Sequence, residues 1–300
     1  MRLTFLGTAG SWPTKERSAS AIALDLEREL VLLDCGEGTQ RQFFQSSQSF
    51  MRVRRVFLTH FHGDHFLGLP GLIQSMGLNQ RTEPLDVYGP PDAPAMMDQV
   101  LHLGHYTPRF PVEVHALRPG ESVELPGYTV HAAAAAHPVP ALAYRIDEGP
   151  KRGRFDGDLA RSLGIHGRDF ARLEAGETVR TDRGAVRPED VMGPPRPGRS
   201  VVYSGDTAPV DSVRKLAERA TLLIHEATTS VELEAEANRW GHSSARQAAE
   251  IALAAHVEGL FLTHFSSRYK ELDGLEAEAK ALFADARAAR DLLDHTIKQP

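Results

Sequence analysis

Short apolar runs recur along this chain, and each stops on polar residues. Residues 3–6 form the first run and predict a strand that ends at Gly7-Thr8-Ala9-Gly10-Ser11. That loop lacks P-loop spacing and no Lys-Ser/Thr pair closes it, so it is not a phosphate cradle of that type. Residues 19–26 and 29–34 are rich in Ile, Leu and Val, are joined by charged residues, and predict a hairpin. A polar helix is expected to follow, through Gln45. Val56-Phe57-Leu58 then runs into Thr59-His60-Phe61-His62-Gly63-Asp64-His65. Behind that stretch Leu69, Leu72, Ile73 and Met76 have helical spacing. Three imidazoles and a carboxylate are therefore concentrated where a buried strand ends and a helix begins.

Further strands are expected at residues 85–88, 112–117, 122–125, 128–135 and 143–146, with a helix near residues 96–101 after the turn Gly89-Pro90-Pro91-Asp92. Between residues 149 and 198 the apolar periodicity fades and arginine becomes frequent, which predicts an excursion inserted into a compact domain. Eight acidic residues share that span, so its cationic excess is small. Regularity returns where Val201-Val202-Tyr203 runs into Ser204-Gly205-Asp206-Thr207. Leu222-Leu223-Ile224 runs likewise into His225-Glu226, and Leu260-Phe261-Leu262 into Thr263-His264. Helices are predicted near residues 210–219 and 243–255, and a final charged helix over residues 272–293. The chain shows no short-period repeat.

Composition narrows the chemistry. Three hundred residues, 41% of them hydrophobic, suffice for a sizeable core. The net charge of −6 argues against non-specific coating of nucleic acid and leaves room for a local basic patch. The single cysteine, Cys35, excludes an internal disulfide and a thiolate-rich zinc site, and fits a reducing compartment. Any metal must then rest on histidine and carboxylate. The apolar start is shorter than a signal peptide, and the alanine run of residues 132–136 is too short to span a bilayer. A soluble, cytoplasmic protein without a membrane partner is expected.

Asp34, His60, His137, Asp206, Glu226 and His264 each stand where an apolar strand closes. Side chains at strand ends converge when the strands share a sheet edge. In an extended turn, residues two apart project to the same side, so His60 and His62 can reach one metal. Asp64 and His65, at the start of the next helix, can serve a second. Nitrogen and oxygen donors of this kind suit zinc and also admit manganese or iron. A lone buried histidine is more often a satisfied core residue, but six strand ends in one pattern point to a site.

Thr-His-x-His-x-Asp-His, with an Asp and two further His downstream, resembles the metallo-β-lactamase superfamily of αββα hydrolases. The likeness is closer to the ribonuclease Z family, endonucleases that mature tRNA 3′ ends. Phe5-Leu6-Gly7-Thr8, Pro13-Thr14-Lys15-Glu16-Arg17, Leu33-Asp34-Cys35-Gly36-Glu37-Gly38-Thr39-Gln40 and the His cluster carry it in the first half. Gly193-Pro194-Pro195-Arg196-Pro197-Gly198, Tyr203-Ser204-Gly205-Asp206-Thr207, His225-Glu226-Ala227-Thr228, Gly241-His242-Ser243 and Thr263-His264-Phe265-Ser266-Ser267-Arg268-Tyr269 carry it in the second. The chain departs from the family at Ser18, where asparagine is usual. It departs again at Gly167-Arg168-Asp169-Phe170, where a Gly-Pro pair is missing.

The resemblance implies an α/β fold: one metallo-β-lactamase αββα sandwich over residues 1–300, with residues 149–198 as an inserted flexible arm that grips tRNA. It implies two zinc ions per subunit. His60, His62 and His137 would hold one, and Asp64, His65 and His264 the other, with Asp206 bridging. Asp34 would orient a ligand imidazole. The implied reaction removes the 3′ trailer from precursor tRNA, leaving a 3′-hydroxyl on the tRNA and a 5′-phosphate on the trailer. Asp64 would take the proton of the attacking water, and His242, oriented by Glu226, would protonate the leaving 3′ oxygen. Lys15, Arg17 and Arg268 would contact substrate. The family is typically a homodimer in which one subunit's arm serves the other's site.

Two other readings stand beside this one. A phosphodiesterase for small cyclic or activated diesters could use the same fold, which by itself does not separate the two. The insertion favours the larger substrate. A metal-free RNA-binding module is a reading of another class, and the complete ligand set speaks against it. For His242 alone, the plain alternative is a neighbour of Ser243 and Ser244 at a helix start.

Overall fold

Alternation along the strands sorts the apolar residues into two faces, and each face packs on a different layer. The computed structural model describes residues 1–299. They form two compact units, one of residues 1–147 with 199–298, the other of residues 148–198 with Gln299.

In the first unit, β1 (Arg2–Gly7), β2 (Ala21–Asp25), β3 (Leu30–Leu33), β4 (Val53–Phe57), β5 (Leu85–Gly89) and β6 (Val112–Ala116) lie side by side in chain order. β2 and β3 are the expected hairpin, with Ile22 opposite Leu33, and β3 to β6 run parallel. Helices α1 (Thr39–Gln45), α2 (Gly63–Phe66), α3 (Leu69–Leu78) and α4 (Ala93–Leu101) fill the connections. Then β7 (Ser122–Leu125), β8 (Tyr128–Ala134) and β9 (Leu142–Glu148) open a second sheet.

The inserted residues fold on themselves as the second unit. α5 (Gly157–Ser162) starts at Asp156, whose carboxylate accepts from the backbone N–H groups of Asp158 and Leu159 at 3.1 and 2.9 Å. α6 (Asp169–Glu174), the hairpin of β10 (Val179–Thr181) and β11 (Gly184–Val186), and α7 (Pro188–Val191) complete it. Ala160, Ile165, Leu173, Val179, Val186 and Val191 are its buried core. The excursion that the fading periodicity predicted thus has a small core of its own. Its elements are only three to six residues long, too short for any period to register.

The chain then returns to the second sheet with β12 (Ser200–Tyr203), β13 (Leu222–Glu226), β14 (Leu260–Thr263) and β15 (Ala286–Ala288), all parallel, while β16 (Asp294–Thr296) crosses back to pair with β1. The strand orders among the described residues are β16-β1-β2-β3-β4-β5-β6 and β15-β14-β13-β12-β9-β8-β7. Helices α8 (Asp211–Leu216), α9 (Glu234–Arg239), α10 (Ala245–Ala254) and α11 (Asp273–Lys280) fill these later connections.

Phe5, Ile22, Leu24, Val31, Leu33 and Phe57 of the first sheet meet Leu142, Tyr144, Ile146, Val201, Tyr203 and Ile224 of the second. Leu30, Leu32, Val56 and Val87, on the opposite face, pack under Phe43, Leu72, Ile73 and Met97. Val202, Leu223, Leu260 and Leu262 pack under the small Ala245, Ala248, Ala249 and Ala252 of α10, which let that helix lie close. The result is an αββα sandwich. Each fully buried apolar side chain contributes about 1.5–3 kcal/mol.

One expectation fails. The helix predicted over residues 272–293 stops at Lys280. Alanine-rich sequence favours a helix, but Ala286–Ala288 instead pairs with Leu260–Leu262 at the edge of the sheet. The backbone groups satisfied along that edge outweigh the local propensity.

Candidate metal centre

β3, β4, β12, β13 and β14 end on one side of the two sheets, and the polar residues that follow them meet there. Asp34 and His264 each come directly after a strand and adopt left-handed backbone, with φ of 57° and 58°. That conformation costs a non-glycine residue about 1–2 kcal/mol, and here it turns both side chains into one cluster. Asp34 is fully buried. It accepts from Thr59 N–H at 2.7 Å, from the Tyr203 hydroxyl at 2.9 Å, and from His65 Nδ1 at 2.7 Å. The last contact puts the His65 proton on Nδ1 and leaves Nε2 toward Asp206 and His264. His137 is held in the same way, its Nδ1 donating to the Gly241 carbonyl at 3.0 Å. His264 Nδ1 donates to the Thr228 hydroxyl at 3.0 Å.

Two donor groups result. The ligand atoms of His60, His62 and His137 lie within 4.8 Å of one another, and so do those of Asp64, His65, Asp206 and His264. Asp206 Oδ2 is 3.3 Å from His65 Nε2, 3.2 Å from His264 Nε2 and 3.8 Å from His60 Nε2, so it stands between the groups. Gly10 packs against His264, where an added Cβ would come within 2.7 Å of the ring. The next residue, Ser11, donates its N–H to Asp64 Oδ2 at 2.7 Å.

These residues fit a metal. His60 Nε2 and Asp206 Oδ1 are buried without a hydrogen-bond partner among the described residues, an arrangement that is expensive unless something else satisfies them. His65 and His264 bring two Nε2 atoms within 3.3 Å, a contact that a shared cation explains. Burial holds the rings of His60 and His137 below the usual histidine range, in the neutral form that binds metal. Burial works against ionised Asp64 and Asp206, but the neighbouring histidines outweigh it and hold both carboxylates below their usual range.

Beside the donors stands a second pair. Glu226, fully buried at the end of β13, accepts His242 Nδ1 at 3.0 Å and the N–H groups of Thr207 and Thr228 at 3.0 and 3.1 Å. Burial disfavours a charged His242, but the Glu226 carboxylate outweighs it, with help from Asp206, and holds the ring up at about 9. His242 also precedes the capping residue Ser244 of α10, so its structural neighbourhood and its place in the cavity coincide. His62, Asp64, His137, Asp206 and His242 line one cavity of about 660 Å³ with Arg268, Trp240 and Ser11.

The three expected substrate contacts separate. Arg268 is exposed and lines the cavity. Lys15 is exposed on the loop before β2. Arg17 is buried, and its guanidinium donates to the carbonyl oxygens of Tyr269, Ser266 and Lys270 at 2.6, 3.4 and 3.4 Å. Its charge is spent on holding the turn that carries Arg268. Thr228 stood in the sequence only as the last residue of His225-Glu226-Ala227-Thr228, with no role of its own, and Trp240, two residues before His242, carries no pattern that marks it.

The family model of the beta-lactamase superfamily domain matches residues 29–194 and 191–265. With the αββα layers and the histidine cluster, this defines a metallo-β-lactamase-class protein. The chain is 46% identical over 299 residues to Ribonuclease Z of Methanothermobacter thermautotrophicus, covering 99% of this chain and 97% of that one. It is 46% identical over 271 residues to Ribonuclease Z of Myxococcus xanthus, covering 90% and 88%. It superposes on the crystal structure of human tRNase Z, short form, with a TM-score of 0.72 at 28% identity, over 99% of this chain and 100% of that one. The chain belongs to the ribonuclease Z family.

Proposed function

We propose that this protein is the endoribonuclease that removes the 3′ trailer from precursor tRNA, with two zinc ions per subunit. The observation that carries the reading is the pair of donor groups joined by Asp206, with Glu226–His242 set beside them. His60, His62 and His137 would hold one ion and Asp64, His65 and His264 the other, with Asp206 standing within reach of both groups. When bound, the metal pair supplies positive charge against the phosphate and lowers the pKa of water to near neutrality.

The protein's own groups do the rest. Asp64 takes the proton of the attacking water. Water's oxygen bonds to phosphorus, the bond from phosphorus to the 3′ oxygen breaks, and His242 Nε2 gives that oxygen a proton. Glu226 orients and charges the imidazole. Arg268 faces the same cavity and is placed for a substrate phosphate, Lys15 contacts RNA from its loop, and Arg17 holds the Arg268 turn.

Residues 149–198 bind tRNA away from the cut. Arg154, Arg168 and Arg180 are exposed and outside any ion pair among the described residues, which suits phosphate contacts. A homodimer is part of the reading. Phe44 of α1 and Leu78 of α3 leave more than two-thirds of their surface exposed on the outer helical layer, apolar area that a second copy would cover. Among the described residues no helix is long and apolar enough to cross a membrane, and the proposed location is the cytoplasm.

Cleavage of a 3′-extended precursor tRNA, with both product ends mapped, tests the reading. A 3′-hydroxyl on the tRNA and a 5′-phosphate on the trailer are expected. A protein that hydrolyses small diesters and leaves the precursor intact would be a different phosphodiesterase. Metal analysis is expected to find two zinc ions per chain, and fewer in His65→Ala.

A further inference from the structure

Trp240 is 67% exposed, yet it lines the cavity that holds the metal donors and His242. An indole is among the largest apolar surfaces a side chain offers, and it is left in water here at the C-terminal end of α9. The backbone beneath it is fixed. Trp240 N–H donates to the Ala237 carbonyl at 3.0 Å and His242 N–H to the same carbonyl at 2.9 Å. Gly241 between them has φ +76°, its carbonyl accepts from His137 Nδ1, and a Cβ there would come within 2.6 Å of Pro138. The indole is therefore tied through a single residue, Gly241, to the donor His137 on one side and to His242 on the other. Leu233, Ala237 and Pro138 add apolar wall to the cavity, while exposed Arg268 adds a cation. A planar aromatic, a cation and a metal centre in one cavity match the parts of a nucleotide: base, phosphate and the bond to be cut.

His242 sits on the leaving-group side, and the leaving 3′ oxygen belongs to the last nucleotide that stays on the tRNA. We propose that Trp240 is a stacking platform for the base of that last retained nucleotide, an inference that rests on the ribonuclease reading above. Stacking needs only a π face, so the platform accepts all four bases and favours purines, and it loses its grip on a site without a base. It thereby sets the register of the chain at the metals without reading sequence through hydrogen bonds.

Two measurements test this. In the first, wild type, Trp240→Ala and Trp240→Phe cleave precursor tRNAs with a purine, a pyrimidine or an abasic residue at the last retained position. Removing the base should lower wild-type kcat/KM by about 5- to 150-fold, the range that stacking on one base supplies. Trp240→Ala should lose a similar factor on the intact substrate and lose nothing more on the abasic one, while Trp240→Phe recovers most of the rate. Zinc content should be the same in all three. If wild type cleaves and Trp240→Ala keeps the full abasic penalty, the platform is refuted and the ribonuclease reading stands. In the second, Trp12→Phe leaves Trp240 as the sole tryptophan, since the chain has two. Its fluorescence should be quenched by a short RNA ending in a purine 3′-phosphate and unaffected by the abasic counterpart. If wild type cleaves no precursor tRNA, the ribonuclease reading falls, and this titration alone decides whether Trp240 binds a base. Loss of self-association in Trp240→Ala by sedimentation would show that a second copy covers the indole, and would overturn the proposal.

Discussion

Glu226 connects two parts of the site through its two oxygens. Oε1 accepts His242 Nδ1 at 3.0 Å, and Oε2 accepts the Thr228 hydroxyl at 2.7 Å, which in turn faces His264 Nδ1 at 3.0 Å. The proton-donor assignment can be separated from metal binding at this point. His242→Ala should slow precursor cleavage by roughly 10²–10⁴-fold, the usual contribution of a general acid, with zinc content unchanged. A substrate with sulfur in place of the 3′ bridging oxygen needs no proton on its leaving group, so the variant should recover most of its rate on it. A variant equally slow on both substrates would reduce His242 to a structural neighbour of the α10 cap. The raised pKa also makes a stability statement. His242 gains a partner on folding, so its contribution is complete below its ordinary value of 6.5 and lost as pH rises through about 9. Chelator-stripped wild type should therefore lose stability in urea between pH 6 and pH 10, and stripped His242→Ala should lose less over the same window.

Among the elements, β9 and β12 make the insertion separable. They pair antiparallel, with Ser200 opposite Asp147, so the chain leaves and re-enters the sheet at adjacent points. Replacing residues 149–198 by a short turn leaves an ordinary hairpin connection, and the insertion's core residues are its own. That deletion should fold, hydrolyse a small phosphodiester at the wild-type rate, and bind precursor tRNA more weakly. The wild-type affinity lost should also be the salt-sensitive part, because phosphate contacts release counterions. Equal loss on both substrates, measured side by side, would mean that the segment supports the sandwich rather than the RNA. The two short edge strands at the C-terminus teach a different lesson. β15 and β16 are three residues each; β15 lies inside the alanine-rich stretch expected to be helical, and β16 follows directly after it. Their pairing partners, β14 and β1, lie 26 and about 290 residues earlier, far outside any window in which periodicity operates.

At the scale of the whole molecule, Cys35 is a reporter of opening. It lies between the first sheet and the α1 and α3 layer with no exposed surface, and burial pushes its thiol up to about 12. A thiol reagent at pH 8 should leave it unmodified in the native protein and react fully in denaturant, with a native-state rate that follows global unfolding. Fast labelling of folded protein would show that the layer around Asp34 opens locally. The central aromatics explain why such opening is costly. Phe57 stacks on Tyr88 with ring centroids 4.6 Å apart, and Tyr144 meets its edge while donating to the Leu58 carbonyl at 2.7 Å. The loop that carries the histidines is thus anchored on the aromatic core, and Phe57→Ala should destabilise the protein by about 3–5 kcal/mol, as urea unfolding would measure.

The sequence alone located most strands of the two sheets and the Asp, Glu and His residues at their ends, because those are written in short-range terms; the αββα class and the grouping of donors followed from the family resemblance. An apolar run that closes on Asp or His is complete within about six residues, and the spacing in residues 59–65 states its own chemistry. The tertiary structure decided what depends on partners distant in the chain. It turned Arg17 inward onto the carbonyls of residues 266–270, made a strand of alanine-rich sequence at an edge that needed backbone partners, and gave residues 148–198 a core. It also placed Thr228 between Glu226 and His264, and left the Trp240 indole open to the cavity. A residue's type limits what it can do, but which hydrogen bonds are already taken and which surface is left exposed are settled only when the sheets close over one another.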